Sequence, residues 1–293
     1  MKNISAGLLL FYYLLTGDCH ASDSARVIKQ RLYPLIIGAN TAYAGAMIYM
    51  SSAWYSNANR VSFHFYNDLP QWKQMDKMGH MWTSYTEADI IARGLCWAGL
   101  SPKKARIYGG VAGFLYQAPI EVFDGFEKSY GASVSDLGAN ALGSLLYISQ
   151  YLAWESLRVK LKFSFYPTKL ARIRPEVLGD GLHEQILKDY NGQTYWFSFN
   201  TRSFIGWEAI PRWLNVSIGY SAYNMLYGRD HENTQAGFQP YRQYFLSLDF
   251  DFDHVPIKSK LLKTLLYPLN IIHVPLPALE FSDNKFKFHP LYF

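Results

Sequence analysis

The chain has 293 residues, with 28 Lys and Arg against 23 Asp and Glu and a formal net charge of +5. Charged residues make up 17% of the sequence, below the roughly 25% of an average soluble protein, and aromatic residues also reach 17%. This composition excludes a disordered chain and a small scaffold that depends on disulfides or zinc. Aromatic rings favour interfaces and membrane boundaries, and the positive net charge is mild, so the expected partner is a membrane lipid or an envelope protein, and no nucleic acid.

The N terminus has the pattern of a secretory signal peptide over residues 1–21. Lys2 gives the positive start, residues 8–15 form the apolar stretch, and Ala21 is the small residue before the cleavage site. A lipoprotein signal with lipid attached at Cys19 is the alternative, but Asp18 stands where that signal requires a small residue. Either signal predicts an exported, membrane-associated protein of the periplasm or outer membrane.

Residues 22–155 are predicted to form a helical bundle. The uncharged stretch at residues 32–59 fits a bilayer span and a central buried helix equally well, and both interpretations stay open. Further helices are predicted to begin near Leu69, at Pro102 and after Ser133, where capping residues or an initial Pro precede apolar runs.

The sequence changes character after a basic stretch at residues 156–192, which is predicted to be a linker. Residues 193–293 are rich in aromatic residues, and apolar and polar residues alternate in stretches such as 246–253. Alternation with a period of two predicts amphipathic antiparallel strands with one wet face. Residues 257–270 are basic and rich in Leu, which predicts an amphipathic helix. The fold class is therefore α+β, an N-terminal helical bundle followed by a small antiparallel β-sheet with an amphipathic helix.

Three of the predicted helices carry a stripe of polar residues on an otherwise apolar body. Intervals of three, four or seven residues place each stripe along one helix face. Helices of a bundle pack through facing sides, so the stripes predict a buried polar network. Its members are Asp76, His80 and Glu87 on the first helix, with Lys77 next to Asp76, then Gln117, Glu121 and Asp124 on the second, and Asp136 and Asn140 on the third.

The polar network has two interpretations. In one, Asp76 and His80 bind a divalent metal ion from successive turns, and Glu121 and Asp124 complete an oxygen-rich shell that activates a water molecule. This interpretation describes a membrane-associated metal-dependent hydrolase acting on an envelope lipid or glycan. In the other, the network is structural or binds a polar ligand, Asp76 and His80 form an ion pair, and Asp136 caps its helix. The sequence has no Walker loop, dinucleotide fingerprint or nucleophile elbow, so no catalytic residue is assigned.

Three short segments, in this order, resemble a known family. They are the Asp-Lys-Met-Gly-His run at residues 76–80, the Glu-Val-Phe-Asp-Gly run at residues 121–125, and Ser133 followed by Asp136 and Asn140. This order is similar to that of the YfiM-like predicted periplasmic lipoproteins and, more distantly, of VanZ-like membrane proteins. The resemblance covers about residues 60–152. It implies a location in the cell envelope and importance of the polar stripe, and it supplies no substrate.

Overall fold

The computed structural model describes residues 28–54 and 60–293. The signal peptide predicted at residues 1–21, with Cys19, lies outside these residues. The described residues divide into a helical unit, formed by residues 28–54, 60–67, 83–156 and 257–265, and a sheet unit, formed by residues 68–82, 157–256 and 266–293. Helices precede a six-stranded antiparallel sheet along the chain, which confirms the predicted α+β class.

In the part of the chain that the structure describes, four long helices come first. They are α1 (Lys29–Trp54), α2 (Met75–Trp97), α3 (Pro102–Asp124) and α4 (Val134–Trp154). The predicted starts at Pro102 and after Ser133 are confirmed, and the Ser133 Oγ caps α4 by accepting a hydrogen bond from the Asp136 amide at 3.1 Å. The helix predicted near Leu69 begins at Met75, after a 3₁₀ turn at Gln71–Gln74.

Crossing a bilayer requires a helix that is both long and apolar throughout. Within residues 28–54 and 60–293, no helix meets both conditions.

Glycines allow the helices of the helical unit to approach closely. A Cβ atom on Gly109 would lie 2.6 Å from the Ala88 carbonyl oxygen, and one on Gly113 would lie 2.3 Å from the Ser84 carbonyl oxygen. A Cβ atom on Gly110 would lie 2.2 Å from the Ile148 side chain. These contacts pack α3 between α4 and the C-terminal part of α2, which brings the polar stripes of the helical unit together.

The sheet unit is built on six strands joined in sequence order, each antiparallel to the next. The strands are β1 (Val159–Phe165), β2 (Gln193–Asn200), β3 (Leu214–Tyr223), β4 (Tyr241–Phe250), β5 (Leu276–Ser282) and β6 (Lys285–Tyr292). Short helices connect them: α5 (Pro175–Leu178), α6 (Leu182–Lys188), α7 (Thr201–Ile205) and α8 (Asp230–Gln235). The predicted linker at residues 156–192 contains β1, α5 and α6.

The predicted amphipathic helix at residues 257–270 lies between β4 and β5. It consists of α9 (Lys260–Leu266) and a 3₁₀ turn at Tyr267–Asn270. The unit boundary falls after Leu265, so most of α9 belongs to the helical unit.

The two faces of the sheet carry different residue types, as the alternation predicts, but the polar face is the buried one. Asp249 on β4 and Glu280 on β5 are buried, whereas Ile218, Leu246 and Phe288 on the opposite face are 49%, 51% and 67% exposed. The register aligns these three side chains in one row across the sheet. The prediction that the polar face of this sheet is exposed to solvent is therefore wrong.

The sheet curls strongly toward its polar face. Lys162 on β1 places its Nζ 2.7 Å from Oδ2 of Asp249 on β4, although β2 and β3 separate these strands. Neighbouring strands are about 4.8 Å apart, so a flat sheet would hold the backbones of β1 and β4 roughly 14 Å apart, and side chains that stand perpendicular to such a sheet would not meet. The polar face is therefore concave and closes around its own side chains, and the apolar face is convex.

Candidate functional site

The first polar cluster lies at the N terminus of α2, in the sheet unit, and is centred on Asp76. The Tyr190 hydroxyl donates a hydrogen bond to Asp76 Oδ1 at 2.7 Å, and the Lys77 ammonium donates to Oδ2 at 2.8 Å. His80 Nε2, one turn later, lies 3.8 Å from Oδ1, and Lys77 also pairs with Asp68 at 2.7 Å. Burial opposes ionisation of the Asp76 carboxyl, but His80 and Lys77 outweigh it and lower its pKa to about 2.

Packing against the sheet fixes the position of this cluster. Met75 and Trp82 pack with Phe163 of β1 and Tyr195 of β2, and the Trp82 indole donates to the Ile271 carbonyl at 3.3 Å. A Cβ atom on Gly79 would lie 2.9 Å from the Tyr195 hydroxyl oxygen, so a glycine lets this turn of α2 approach β2. The Asp-Lys-Met-Gly-His run therefore contains both a charged pair and the small residue that lets this turn of α2 pack closely against β2.

The second cluster lies in the helical unit, where Glu121 of α3 and Asp136 of α4 meet at Ser133. The Ser133 amide donates to Glu121 Oε2 at 2.9 Å, and the Ser133 hydroxyl caps the Asp136 amide. Glu121, Asp136 and Asn140, one turn further along α4, are all buried. The structure thus brings these predicted residues of α3 and α4 to one place. Asp124, at the end of α3, is half-buried, and its carbonyl accepts a hydrogen bond from the Glu127 amide.

The third cluster, also in the helical unit, is a carboxyl–amide pair. The Gln117 side-chain amide donates to Glu87 Oε2 at 2.8 Å. Burial raises the pKa of Glu87 to about 7, and the hydrogen bond from Gln117 only partly opposes this rise. The Tyr43 hydroxyl of α1 donates to the Tyr116 carbonyl at 2.7 Å, and burial together with the nearby Glu87 raises the pKa of Tyr43 to about 12. Glu87 is thus a carboxyl group that gains its charge near neutral pH.

The predicted metal ligands are divided between the two units. Asp76 and His80 belong to the sheet unit, and Glu121 and Asp124 belong to the helical unit. Asp76 has an ammonium group at one of its oxygens and Glu121 has an amide N–H at one of its own.

The sequence pattern did not reveal two charge clusters, one of them half-buried and the other fully buried. In the helical unit, Asp89 accepts from Arg93 at 2.9 Å and from the Tyr147 hydroxyl at 3.3 Å. The four-residue spacing of Asp89 and Arg93 is a signal that was available. In the sheet unit, Lys162 and Asp249 form a fully buried ion pair. Lys162 lies in a basic stretch that looks solvent-exposed in sequence, so the alternation of basic and apolar residues was the only local signal.

Comparison with known proteins places the helical motifs in one family description. Residues 65–153 match the family model described as "Predicted periplasmic lipoprotein (DUF2279)". The matched segment is under a third of the chain and contains α2, α3 and most of α4, with all nine residues of the predicted polar network. This match confirms the resemblance to predicted periplasmic lipoproteins over that segment and supports a location in the cell envelope. No curated protein and no solved structure matches the chain.

Proposed function

We propose that this protein is an exported, membrane-associated component of the cell envelope in which the Asp76 cluster has a structural role. The envelope location is supported by the family description matched by residues 65–153. The structural role is supported by one observation above the others: both oxygens of the Asp76 carboxylate are engaged by groups of the chain itself, Tyr190 on one and Lys77 on the other.

These partners argue against a cation as the natural occupant of the Asp76 carboxylate. A divalent ion bound there would have to share the carboxylate with the Tyr190 hydroxyl and the Lys77 ammonium. An ammonium group left beside the ion would repel it, and this repulsion is strong where water is largely excluded. The hydrolase interpretation, which needs Asp76 and His80 as metal ligands, therefore has less support than the structural one.

The cluster joins two distant parts of the sheet unit. Asp76 is 114 residues from Tyr190 in sequence, and Lys77 connects the same turn of α2 to Asp68. The pKa of Asp76 falls from 3.8 to about 2 in the folded protein, so at about 1.4 kcal/mol per pKa unit loss of the carboxylate charge lowers the free energy of unfolding by about 2 kcal/mol. The contribution is present above the ordinary carboxyl pKa near 4 and is lost as the pH falls toward about 2.

The test compares Asp76→Asn with Asp180→Asn, a matched change at an exposed position of the same unit. We expect urea unfolding at pH 7 to show a loss of stability for Asp76→Asn alone. We also expect zinc, manganese and calcium to leave the unfolding midpoint of the wild-type protein unchanged. Stoichiometric metal in the purified protein, with a stabilisation by added metal that Asp76→Asn abolishes, would contradict the structural role and show the metal site that the hydrolase interpretation requires.

Membrane association is tested by fractionation of cells that express the full chain. We expect the protein in the membrane fraction, and we expect extraction with carbonate or urea to leave most of it there. Recovery of most of the protein from the soluble periplasmic fraction would contradict the proposal.

A further inference from the structure

We propose that the convex face of the sheet docks among the acyl chains of a phospholipid bilayer. This inference rests on the proposed membrane association and names the surface responsible for it. We call this surface the apolar face, and its exposed side chains on β3 to β6 include Ile218, Leu246, Leu248, Leu279, Phe286 and Phe288.

The distribution of polarity in the sheet is the first argument. Lys162 and Asp249 form an ion pair with both side chains fully buried, while Leu246 and Leu248 directly alternate with buried polar residues of β4 and face outward. Several large apolar side chains exposed side by side mark an interaction surface. A sheet that encloses its ions and presents hydrocarbon outward favours an apolar environment on its convex side.

The order of the rows across the apolar face is the second argument. The register pairs Val216 with Leu248, then Ile218 with Leu246, then Tyr220 with Tyr244, and finally Ala222 with Arg242. Along β4 the side chains therefore change from aliphatic, through a ring with a hydroxyl group, to a guanidinium. A bilayer leaflet changes in the same order, from acyl chains through the interfacial region favoured by Tyr to anionic phosphates.

The length of the aliphatic part fits one leaflet. At about 3.4 Å per residue, the four steps from Leu248 to Tyr244 cover roughly 14 Å. One leaflet contributes about half of a hydrocarbon core that is roughly 30 Å thick. A Tyr row at the interface thus leaves the Leu and Ile rows at acyl-chain depth, and Arg242 at the level of the phosphates.

Charge and curvature favour lipid over a protein partner. Among the positions of the apolar face in β3 to β6, the one charged residue is Arg242, and it lies at one end. A protein interface has a polar rim around its apolar centre, whereas a leaflet offers anionic groups on one side only. Two convex faces also meet along a narrow strip, so a second copy of the chain would cover little of this surface.

The test places a photo-crosslinking amino acid on the apolar face of the full-length protein. p-Benzoylphenylalanine replaces Leu246 in one variant and Phe288 in another, and it replaces Ile173, an exposed apolar residue outside the strands, in a matched control. Each protein is mixed with vesicles of phosphatidylethanolamine and phosphatidylglycerol that carry radiolabelled acyl chains, and is then irradiated. We expect several-fold more lipid adduct at positions 246 and 288 than at position 173.

The other outcomes overturn the inference in distinguishable ways. Protein that floats with the vesicles without lipid adducts at positions 246 and 288 would show that another surface binds the membrane, which leaves the proposed function standing. Cross-linked dimers, or cross-links to a different protein in native membranes, would assign the face to a protein partner. Protein that stays with the soluble fraction would contradict the inference and the proposed membrane association together.

A second measurement guards against variants that fold poorly. Leu246→Ser combined with Phe288→Ser is compared with Ile173→Ser in vesicle flotation at low and high salt. Since the contact is mainly hydrophobic, we expect the double variant alone to lose binding at high salt. An unchanged double variant with native circular dichroism would overturn the inference.

Discussion

Replacement of Glu87 by Gln should remove a specific pH dependence from the stability of the protein. Burial raises the pKa of Glu87 from 4.5 to about 7, so the folded state retains a proton that the unfolded chain releases. This group therefore contributes stability that is fully present below pH 4.5 and is lost as the pH rises to about 7. At about 1.4 kcal/mol per pKa unit, the loss amounts to about 3 kcal/mol at most.

The side chain introduced by Glu87→Gln cannot ionise, yet its oxygen can still accept the hydrogen bond from Gln117. We measure urea unfolding from pH 4 to 8. As the pH rises, we expect the free energy of unfolding of Glu87→Gln to increase relative to that of the wild type by up to about 3 kcal/mol. His273 has a pKa lowered to about 4 by burial, so it makes stability rise with pH over part of the same range. The difference between the two curves cancels this contribution because both proteins contain His273.

Glu208→Gln is the matched control, since Glu208 is exposed. Its stability curve should run parallel to that of the wild type. Parallel curves for the wild type and Glu87→Gln would refute the reasoning, because the Glu87 carboxyl would then ionise as easily in the folded protein as in the unfolded chain. A Glu87→Gln variant whose stability falls relative to the wild type as the pH rises would refute it as well.

Two further changes test the packing and the buried charges. Gly109→Ala should lower the free energy of unfolding by about 1–3 kcal/mol in thermal unfolding, because the new Cβ atom would lie 2.6 Å from the Ala88 carbonyl oxygen. Gly138→Ala is the control: a Cβ atom there has open space, so this change should be neutral or stabilising. Equal effects of the two changes would contradict the close helix contact. Lys162→Met should lower the free energy of unfolding by about 3–5 kcal/mol, because it leaves the Asp249 carboxylate buried without its ion-pair partner. Adding Asp249→Leu should restore most of this stability. A Lys162→Met variant as stable as the wild type in urea unfolding would show that the pair is not buried.

Local signals determined which helix boundaries could be predicted. The starts of α3 and α4 follow from Pro102 and Ser133, because an initial proline and a capping hydroxyl act on the backbone of the adjacent turn. The predicted start of α2, near Leu69, was wrong by six residues, because the helix begins at Met75. Trp72 and Lys73 have positive φ angles, and contacts far along the chain hold them: the Trp72 amide donates to the Gly228 carbonyl, and Tyr220 donates to the Lys73 carbonyl.

The same distinction applies to the candidate site. The four-residue spacing of Asp76 and His80 predicted that both lie on one face of a helix, and the structure places His80 Nε2 3.8 Å from Asp76 Oδ1. Tyr190, which binds the same carboxylate, lies in the stretch predicted to be a linker, and no local pattern connects it with Asp76. Spacing along a helix is visible in sequence, but a partner supplied by another element depends on the tertiary fold.

The sheet shows why alternation alone does not determine which face is buried. A period of two separates Leu246 and Leu248 from Ser247 and Asp249, but it is equally consistent with either set facing inward. The usual assumption, with water outside, assigns the apolar set to the interior. Here the missing information was on β1, where Lys160 and Lys162 alternate with apolar residues and supply cations to Asp251 and Asp249. Oppositely charged residues alternating on two strands of one sheet can neutralise each other in its interior, which leaves the apolar set on the outer face.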